Sequence, residues 1–97
     1  MPPASGQNVA ELITKYTLHP EFRDVYVEGE SDQGLVQWFL DENNVRDVNV
    51  YPITSFEIPA ELVRSYGLGT SSARSNNLAL GMELEKRLGN RIHVRCM

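Results

Sequence analysis

The chain of 97 residues lacks several features that would define its class at once. It has one cysteine, Cys96, which excludes an intramolecular disulfide and a zinc site built on several thiolates. No apolar run approaches the ~20 residues that a membrane-spanning helix needs. The first residues, MPPASGQNVAEL, lack the basic patch and the long apolar run of a secretory signal. These absences predict a soluble cytoplasmic protein with no membrane partner.

Positive charge is also scarce, because nine Lys and Arg residues stand against thirteen Asp and Glu residues and the net charge is −4. A nucleic-acid binder that acts alone usually carries a cationic surface. Nucleic acid therefore remains a partner only through a metal ion or a local basic patch. The basic residues Arg87, Arg91 and Arg95 lie near the end of the chain, so we expect the carboxyl-terminal segment to face phosphate.

The spacing of apolar residues predicts alternating helices and strands within one domain. The predicted order is a helix after Asn8, a strand at 24–28, a helix after Ser31 that stops at 42–44, a strand at 47–54, a short helix from Pro59 to Gly67, a helix at 73–88 and a strand at 91–96. Residues 1–7 are expected to fray. GLGTSS at 67–72 is interpreted as a loop and helix start, since it lacks the lysine of a phosphate-binding loop.

Strands separated by helices of ten or more residues predict parallel pairing through right-handed crossovers. The expected fold class is therefore α/β, with a mostly parallel sheet, helices on both faces and three layers. Pro52 suggests that the second strand lies at an edge or ends there. We expect Trp38 and Phe39 to pack against the sheet. Ligands of such sheets bind beyond the carboxyl ends of the strands, at Glu28, after Thr54 and after Met97.

The stretch VYVEGESDQGLVQWFL places three acids where a strand turns into a helix. A glutamate at the end of a buried strand loses several kcal/mol of hydration unless it reaches solvent, a partner or a cation. For Glu28 a divalent cation is a good explanation. Glu30 and Asp32 lie in the first helical turn, where acids stabilise a helix by ~0.3–1 kcal/mol without any catalytic role. For these two residues both interpretations stay open.

VYVEGESD followed by an apolar helix resembles the first motif of the Toprim superfamily, an apolar strand that runs into E-G-x-x-D. That superfamily includes type II topoisomerases, bacterial primases, recombination-mediator proteins and OLD-type nucleases. The longer stretch FRDVYVEGESDQGLVQWFL is most similar to an uncharacterised Toprim-like family encountered near restriction and phage-defence genes. The resemblance implies a Rossmann-like sheet with a metal site, and it makes residues 1–97 the amino-terminal part of a single, incomplete Toprim-like domain.

The resemblance also implies roles for individual residues. Glu28 matches the glutamate that such enzymes use as a metal ligand or as a general acid–base group, Gly29 matches the turn glycine, and Asp32 matches the closing aspartate at the metal site. The implied function is a Mg²⁺-dependent nuclease that cleaves nucleic-acid phosphodiesters, with DNA favoured over RNA. An ATPase partner, as in OLD-like systems, would follow, and the open sheet edge would allow homo-oligomers.

The second Toprim motif, D-x-D, is absent from these residues, and the predicted strand RIHVRCM ends where it would begin. Cleavage with two metal ions needs several oxygen ligands that hold the ions ~3.5–4 Å apart. We therefore expect the chain to be inactive by itself and to form part of a longer enzyme. The alternative is a catalytically silent α/β interaction or dimerisation module in which Glu28 is a relic.

The remaining polar residues give weaker signals. Arg64 and Arg74 are candidates for contact with a nucleic-acid backbone, although scattered arginines are usually solvated. His19 and His93 have no partners at metal-ligand spacing, and we expect both on the surface. A flavodoxin-like nucleotide-binding regulator would need an acid after the second strand, and residues 51–54 provide none.

Overall fold

The computed structural model describes residues 7–69, 72–89 and 93–97. The strands are β1 (Gln7–Asn8), β2 (Arg23–Val27), β3 (Val48–Pro52), β4 (Phe56–Glu57) and β5 (His93–Cys96), and the helices are α1 (Val9–Leu18), α2 (Glu30–Glu42), α3 (Ala60–Ser65) and α4 (Ala73–Leu88). One 3₁₀ turn, Ile53–Ser55, follows β3. Fraying was predicted for residues 1–7; residues 1–6 fall outside the described residues, and Gln7 is paired in β1 instead. The start of the predicted last strand, at 91–92, also falls outside them.

The main sheet has the strand order β3-β2-β5, and both pairings are parallel. The register places Arg23 beside Val48 on one side and beside His93 on the other. Helices α2 and α4 lie in the connections between paired strands, as parallel pairing requires. The prediction of an α/β protein with a parallel sheet is confirmed. The edge position suggested by Pro52 is confirmed as well, because β3 is an outer strand.

A second pairing, between β1 and β4, was not predicted. Gln7–Asn8 pairs in parallel with Phe56–Glu57, and each strand is two residues long. Two residues are too few to show any alternation of apolar and polar side chains.

The hydrophobic core lies on the face of the sheet that carries α1 and α4. Its buried members come from both helices, from the central strand and from the 3₁₀ turn: Leu12, Tyr16, Tyr26, Ile53, Leu80, Leu84 and Leu88. Helix spacing brings Leu80, Leu84 and Leu88 onto one stripe of α4. Each fully buried Leu contributes ~1.5–3 kcal/mol relative to an exposed one, so this face supplies most of the burial.

The helix ends follow their local sequence. Asn8 and Glu11 form a capping box, in which the Glu11 backbone N–H donates to Asn8 Oδ1 at 2.8 Å and the Asn8 N–H donates to Glu11 Oε1 at 3.1 Å. Ser72 caps α4 by accepting the Ser75 N–H at 3.1 Å. The helix start predicted at the end of GLGTSS is therefore confirmed, although Thr70 and Ser71 lie outside the described residues. Gly89, at φ 69°, follows Leu88 and ends α4 where the helix predicted at 73–88 also ends.

Helix α2 covers the opposite face of the sheet, where it packs on β3 and β2. It has no fully buried residue. The expectation that Trp38 and Phe39 pack against the sheet is wrong, because they are 59% and 58% exposed. The side of α2 that contains Val36 and Leu40 is half-buried instead. None of the described helices is both long and apolar enough to cross a bilayer.

Candidate functional site

Glu28 lies at the carboxyl edge of the sheet, one residue beyond the end of β2 and two residues before α2 begins. Its side chain is half-buried. None of the ion pairs formed by the described residues involves it. The sequence-based prediction placed Glu28 at this edge, and the structure places it there. A carboxylate in this position is open to a ligand that approaches the strand ends.

Gly29 is the N-cap residue of α2, and its backbone is extended, with φ −158° and ψ −179°. Residues with side chains adopt this conformation freely, so the backbone here does not require glycine. A Cβ atom built on Gly29 would meet nothing within 4 Å. The space beside Glu28 is therefore open, and backbone geometry gives no reason for the glycine.

Glu30 and Asp32 are exposed in the first turn of α2. Gly29 has no side chain with which to cap this helix, so the two carboxylates provide the negative charge that its amino terminus favours. Across the described ranges, no group of three or more His, Cys, Asp or Glu side chains is arranged to hold a metal ion. Glu28 and Asp32 thus have no third acidic ligand among these residues.

Asn77 was not identified as a site residue from the sequence, yet it connects the ends of two strands. It lies on α4 and is 3% exposed. Its side-chain amide N–H groups donate to the backbone carbonyls of Tyr26, at 3.3 Å, and of Met97, at 2.5 Å. The side-chain carbonyl oxygen of Asn77, Oδ1, is buried and has no hydrogen-bond partner among the described residues. An asparagine within the apolar stripe of α4 was the signal that could have revealed it.

The register of the sheet determines which later positions lie near Glu28. Tyr26 is level with Cys96, and the Met97 N–H donates to the Tyr26 carbonyl at 2.9 Å. The carboxyl end of β5 therefore lies beside the end of β2, directly before Glu28.

A buried polar network, also not anticipated, lies nearer the amino edge of the sheet. Asp24, 1% exposed, accepts hydrogen bonds from the Tyr16 hydroxyl and from Asn49 Nδ2, at 3.2 Å for the latter. Lys15 Nζ lies 3.0 Å from Asp24 Oδ2. Because the Tyr16 proton points to Asp24, the Tyr26 hydroxyl donates to the Tyr16 oxygen. The acidic residue within the strand RDVYV was the sequence signal that could have revealed this network.

Burial keeps both tyrosines of this network neutral. Burial raises the pKa of Tyr16, and its hydrogen bond to Asp24 raises that pKa further. Burial likewise raises the pKa of Tyr26. The single thiol behaves in the same way, since burial raises the pKa of Cys96 to about 12. Cys96 is therefore an inert thiol at neutral pH.

The basic candidates do not converge on Glu28. Arg64 lies exposed on α3 and Arg74 exposed at the start of α4. Arg87 pairs with Glu83 at 3.7 Å, and Arg95 is exposed on β5. His19 and His93 are both exposed, which confirms the expectation that they are surface residues. Arg91 lies outside the described residues.

The donor atoms near the carboxyl edge suit a hard cation in type but not in number. Glu28 and Asp32 offer carboxylate oxygen atoms, which Mg²⁺ prefers, and Mg²⁺ commonly uses one or two carboxylates with water. The described residues bring no third His, Cys, Asp or Glu side chain to them, so they do not form a two-metal centre. Comparisons with family models, with curated proteins and with solved structures found no match to this chain.

Proposed function

We propose that this chain is part of a Toprim-like, Mg²⁺-dependent nuclease that acts on nucleic-acid phosphodiesters, DNA rather than RNA, within an incomplete Rossmann-like sheet. The observation that carries the proposal is Glu28, a half-buried carboxylate at the carboxyl edge of a parallel strand within the sequence E-G-x-x-D. The open space beside Gly29 supports it, because a phosphate group could approach the strand end there.

In this proposal Glu28 and Asp32 hold the ion together with water molecules. A bound Mg²⁺ would polarise a phosphoryl oxygen and neutralise charge that develops on it. Glu28 either contributes an oxygen ligand or, when protonated, gives its proton to the leaving oxygen of the cleaved phosphodiester. The half-buried position of Glu28 limits the water around its carboxyl group, which strengthens either interaction.

The proposal requires further carboxylates, and the register indicates where they would be effective. A D-x-D pair directly after β5 would stand level with Glu28 on the neighbouring strand. Without such a pair, the present residues should bind Mg²⁺ weakly and should not cleave nucleic acid. The ATPase partner implied by the OLD-like resemblance belongs to the same proposal.

The test is Mg²⁺-dependent nicking of supercoiled DNA by protein expressed from the complete gene. Glu28→Gln removes the charge and keeps the shape, and we expect at least a ~100-fold loss of rate, as for a catalytic acid–base or ligand group. Glu61→Gln, which changes an exposed glutamate on α3, is the matched control and should retain full rate. Equal rates for Glu28→Gln and the unmodified protein would remove the claim.

A separate observation supports a second candidate function. This alternative is a catalytically silent interaction or dimerisation module, and it is supported by three large apolar side chains that α2 exposes to solvent, Leu35, Trp38 and Phe39. Calorimetric titration with Mg²⁺ and Mn²⁺ separates the two readings in the complete protein: binding that Glu28→Gln abolishes favours the nuclease, and absence of binding favours the module.

A further inference from the structure

The outer face of α2 is apolar and has no partner among the described residues. It consists of Leu35, Trp38 and Phe39, which are 63%, 59% and 58% exposed and follow the i, i+3, i+4 spacing of one helical stripe. Together they expose ~350 Å² of side chain, given the ~150–250 Å² that an aromatic side chain can bury. A contiguous apolar patch of this size is often functional.

The described helices leave the same side of the sheet uncovered at its opposite edge, on β5. On β5, Val94 and Cys96 pack towards the core beneath α4, so strand alternation directs His93 and Arg95 to the side that carries α2. The register adds Arg23, which is level with His93. All three side chains are exposed, and α2 packs on β3 and β2 instead. We refer to Arg23, His93 and Arg95 as the basic strip.

The charges of these two surfaces are opposite. Helix α2 carries four acids, Glu30, Asp32, Asp41 and Glu42, and contains no basic residue. Two copies of α2 placed face to face would therefore repel each other. The basic strip attracts α2, and opposite potentials of this kind guide association and determine which surfaces meet.

Because one chain carries both surfaces on one side of its sheet, we propose that it forms a twofold dimer in which α2 of each copy covers the basic strip of the other. A twofold axis that runs parallel to α2, between the covered and bare halves of the sheet, produces this arrangement. The two α2 helices then lie side by side between two sheets, where the basic strips of both copies offset the repulsion between the acids of the neighbouring helices. Parallel sheets normally have both faces covered, and the dimer completes that cover.

The exposed area of the outer face of α2 can be compared with the area that a stable twofold dimer buries. A standard interface buries ~800 Å² on each partner. In a twofold interface each copy uses both of its surfaces. The outer face of α2 supplies nearly half of the required area, and the proposed dimer requires the basic strip with the surrounding sheet to supply the remainder. Tryptophan and arginine at the centre are the side chains that most often dominate interface energies.

The inference is independent of the nuclease proposal, and it gives a definite form to the interaction-module alternative. Sedimentation velocity measures the mass of the full chain as its concentration rises, while tryptophan emission reports burial of the α2 surface. Trp38 is the single tryptophan, so the signal has one source. We expect a monomer-to-dimer transition that is accompanied by a blue shift of Trp38 emission and that weakens as salt screens the charges.

Two pairs of variants locate the interface. Arg95→Glu should weaken association at least ~10-fold and abolish the blue shift, as loss of a central interface arginine does. Arg64→Glu, an exposed arginine on α3, should leave both unchanged. Leu35→Ser should weaken association by a similar factor. Leu18→Ser, at a leucine that is 68% exposed on α1, should have no effect. Circular dichroism confirms that each variant is folded.

Three outcomes overturn the proposal. The first is a chain that stays monomeric, with water-exposed Trp38 emission, at every concentration. The second is a dimer that Arg95→Glu and Leu35→Ser leave intact, because that dimer would use another surface, such as the open edge of β3. The third is a folded monomer whose Arg95 is needed for binding an added DNA oligonucleotide. Nicking that Glu28→Gln abolishes, together with a strictly monomeric protein, would remove the dimer and keep the nuclease.

Discussion

The two faces of the sheet are packed in different ways. On one face, α1 and α4 bury seven core residues, and the strand contributes Tyr26 with no exposed surface. On the other face, α2 covers two strands of three with a half-buried stripe and directs its largest side chains outward. Apolar residues on the first face therefore stabilise the fold, whereas Leu35, Trp38 and Phe39 on α2 contribute little to it and stay available to the proposed partner.

The largest expected difference comes from a leucine on each face. Leu80→Ala, at a residue with no exposed surface, should lower the free energy of unfolding by ~2–5 kcal/mol because it leaves a cavity. Leu35→Ala, at the 63% exposed leucine of α2, should change it by less than ~0.5 kcal/mol in the monomer. Urea unfolding of dilute protein, monitored by circular dichroism, measures both. Similar losses from the two variants would show that α2 packs as tightly as α4.

An intermediate effect is expected from the polar network beneath α1. Tyr16→Phe removes the hydroxyl that donates to Asp24 and accepts from Tyr26. It leaves a buried donor and a buried carboxylate each lacking one partner, so we expect a loss of ~1–3 kcal/mol. Tyr66→Phe, which removes a hydrogen bond of 2.6 Å to Glu83 in a part-buried position, is the control. It should cost less, because water can replace the lost partner.

Tyr16→Phe should also change how the free energy of unfolding depends on pH in the alkaline range. The pKa of Tyr16 is higher in the folded chain than its ordinary value of 10.0. A raised pKa of this kind gives stability that is fully present below that value and is lost as pH rises above it. Urea unfolding between pH 7 and about pH 11 should therefore show that the free energy of unfolding declines above about pH 10. The decline should be shallower in Tyr16→Phe, and an equal slope in both proteins would contradict this account of the network.

The smallest expected effects come from two helical glycines, one on each face. A Cβ atom at Gly34 in α2 would meet nothing within 4 Å, so Gly34→Ala should stabilise the chain by ~0.5–1 kcal/mol through helix propensity. A Cβ atom at Gly81 in α4 would lie 3.1 Å from Cys96 Cβ. The crowding there should cancel the gain, since β5 would have to shift. Thermal melts of both variants measure the difference, and an equal rise in Tm would show that β5 moves freely.

Much of this fold follows from local sequence patterns. The apolar stripe of α4, the capping residue Asn8 and the terminating Gly89 each act within a few residues of the chain, and each was predicted. The position of Glu28 was predicted for the same reason, because it needs only the end of one strand and the start of the next helix. The sheet pairing followed from the lengths of the connecting helices.

The outward side of α2 could not be predicted in this way. Its apolar residues Leu35, Val36, Trp38, Phe39 and Leu40 surround most of the helix, so periodicity does not determine which side meets the sheet. The contacts of Asp24 and Asn77 were equally inaccessible, because their partners lie far away in the sequence. Asn77, for example, is 51 residues from the Tyr26 carbonyl to which it donates.

The parallel pairing of β5 with β2 also has a consequence for the order of folding. The β2–β3 pairing joins Arg23 to Val48, whereas β5 joins the same Arg23 to His93, which closes a much larger loop of chain. Since the entropy lost in closing a loop grows with its length, β2, α2 and β3 can assemble before the last strand arrives. Until β5 pairs, one edge of β2 has free backbone hydrogen-bonding groups. A strand of another chain could pair with that edge if β5 pairs too slowly.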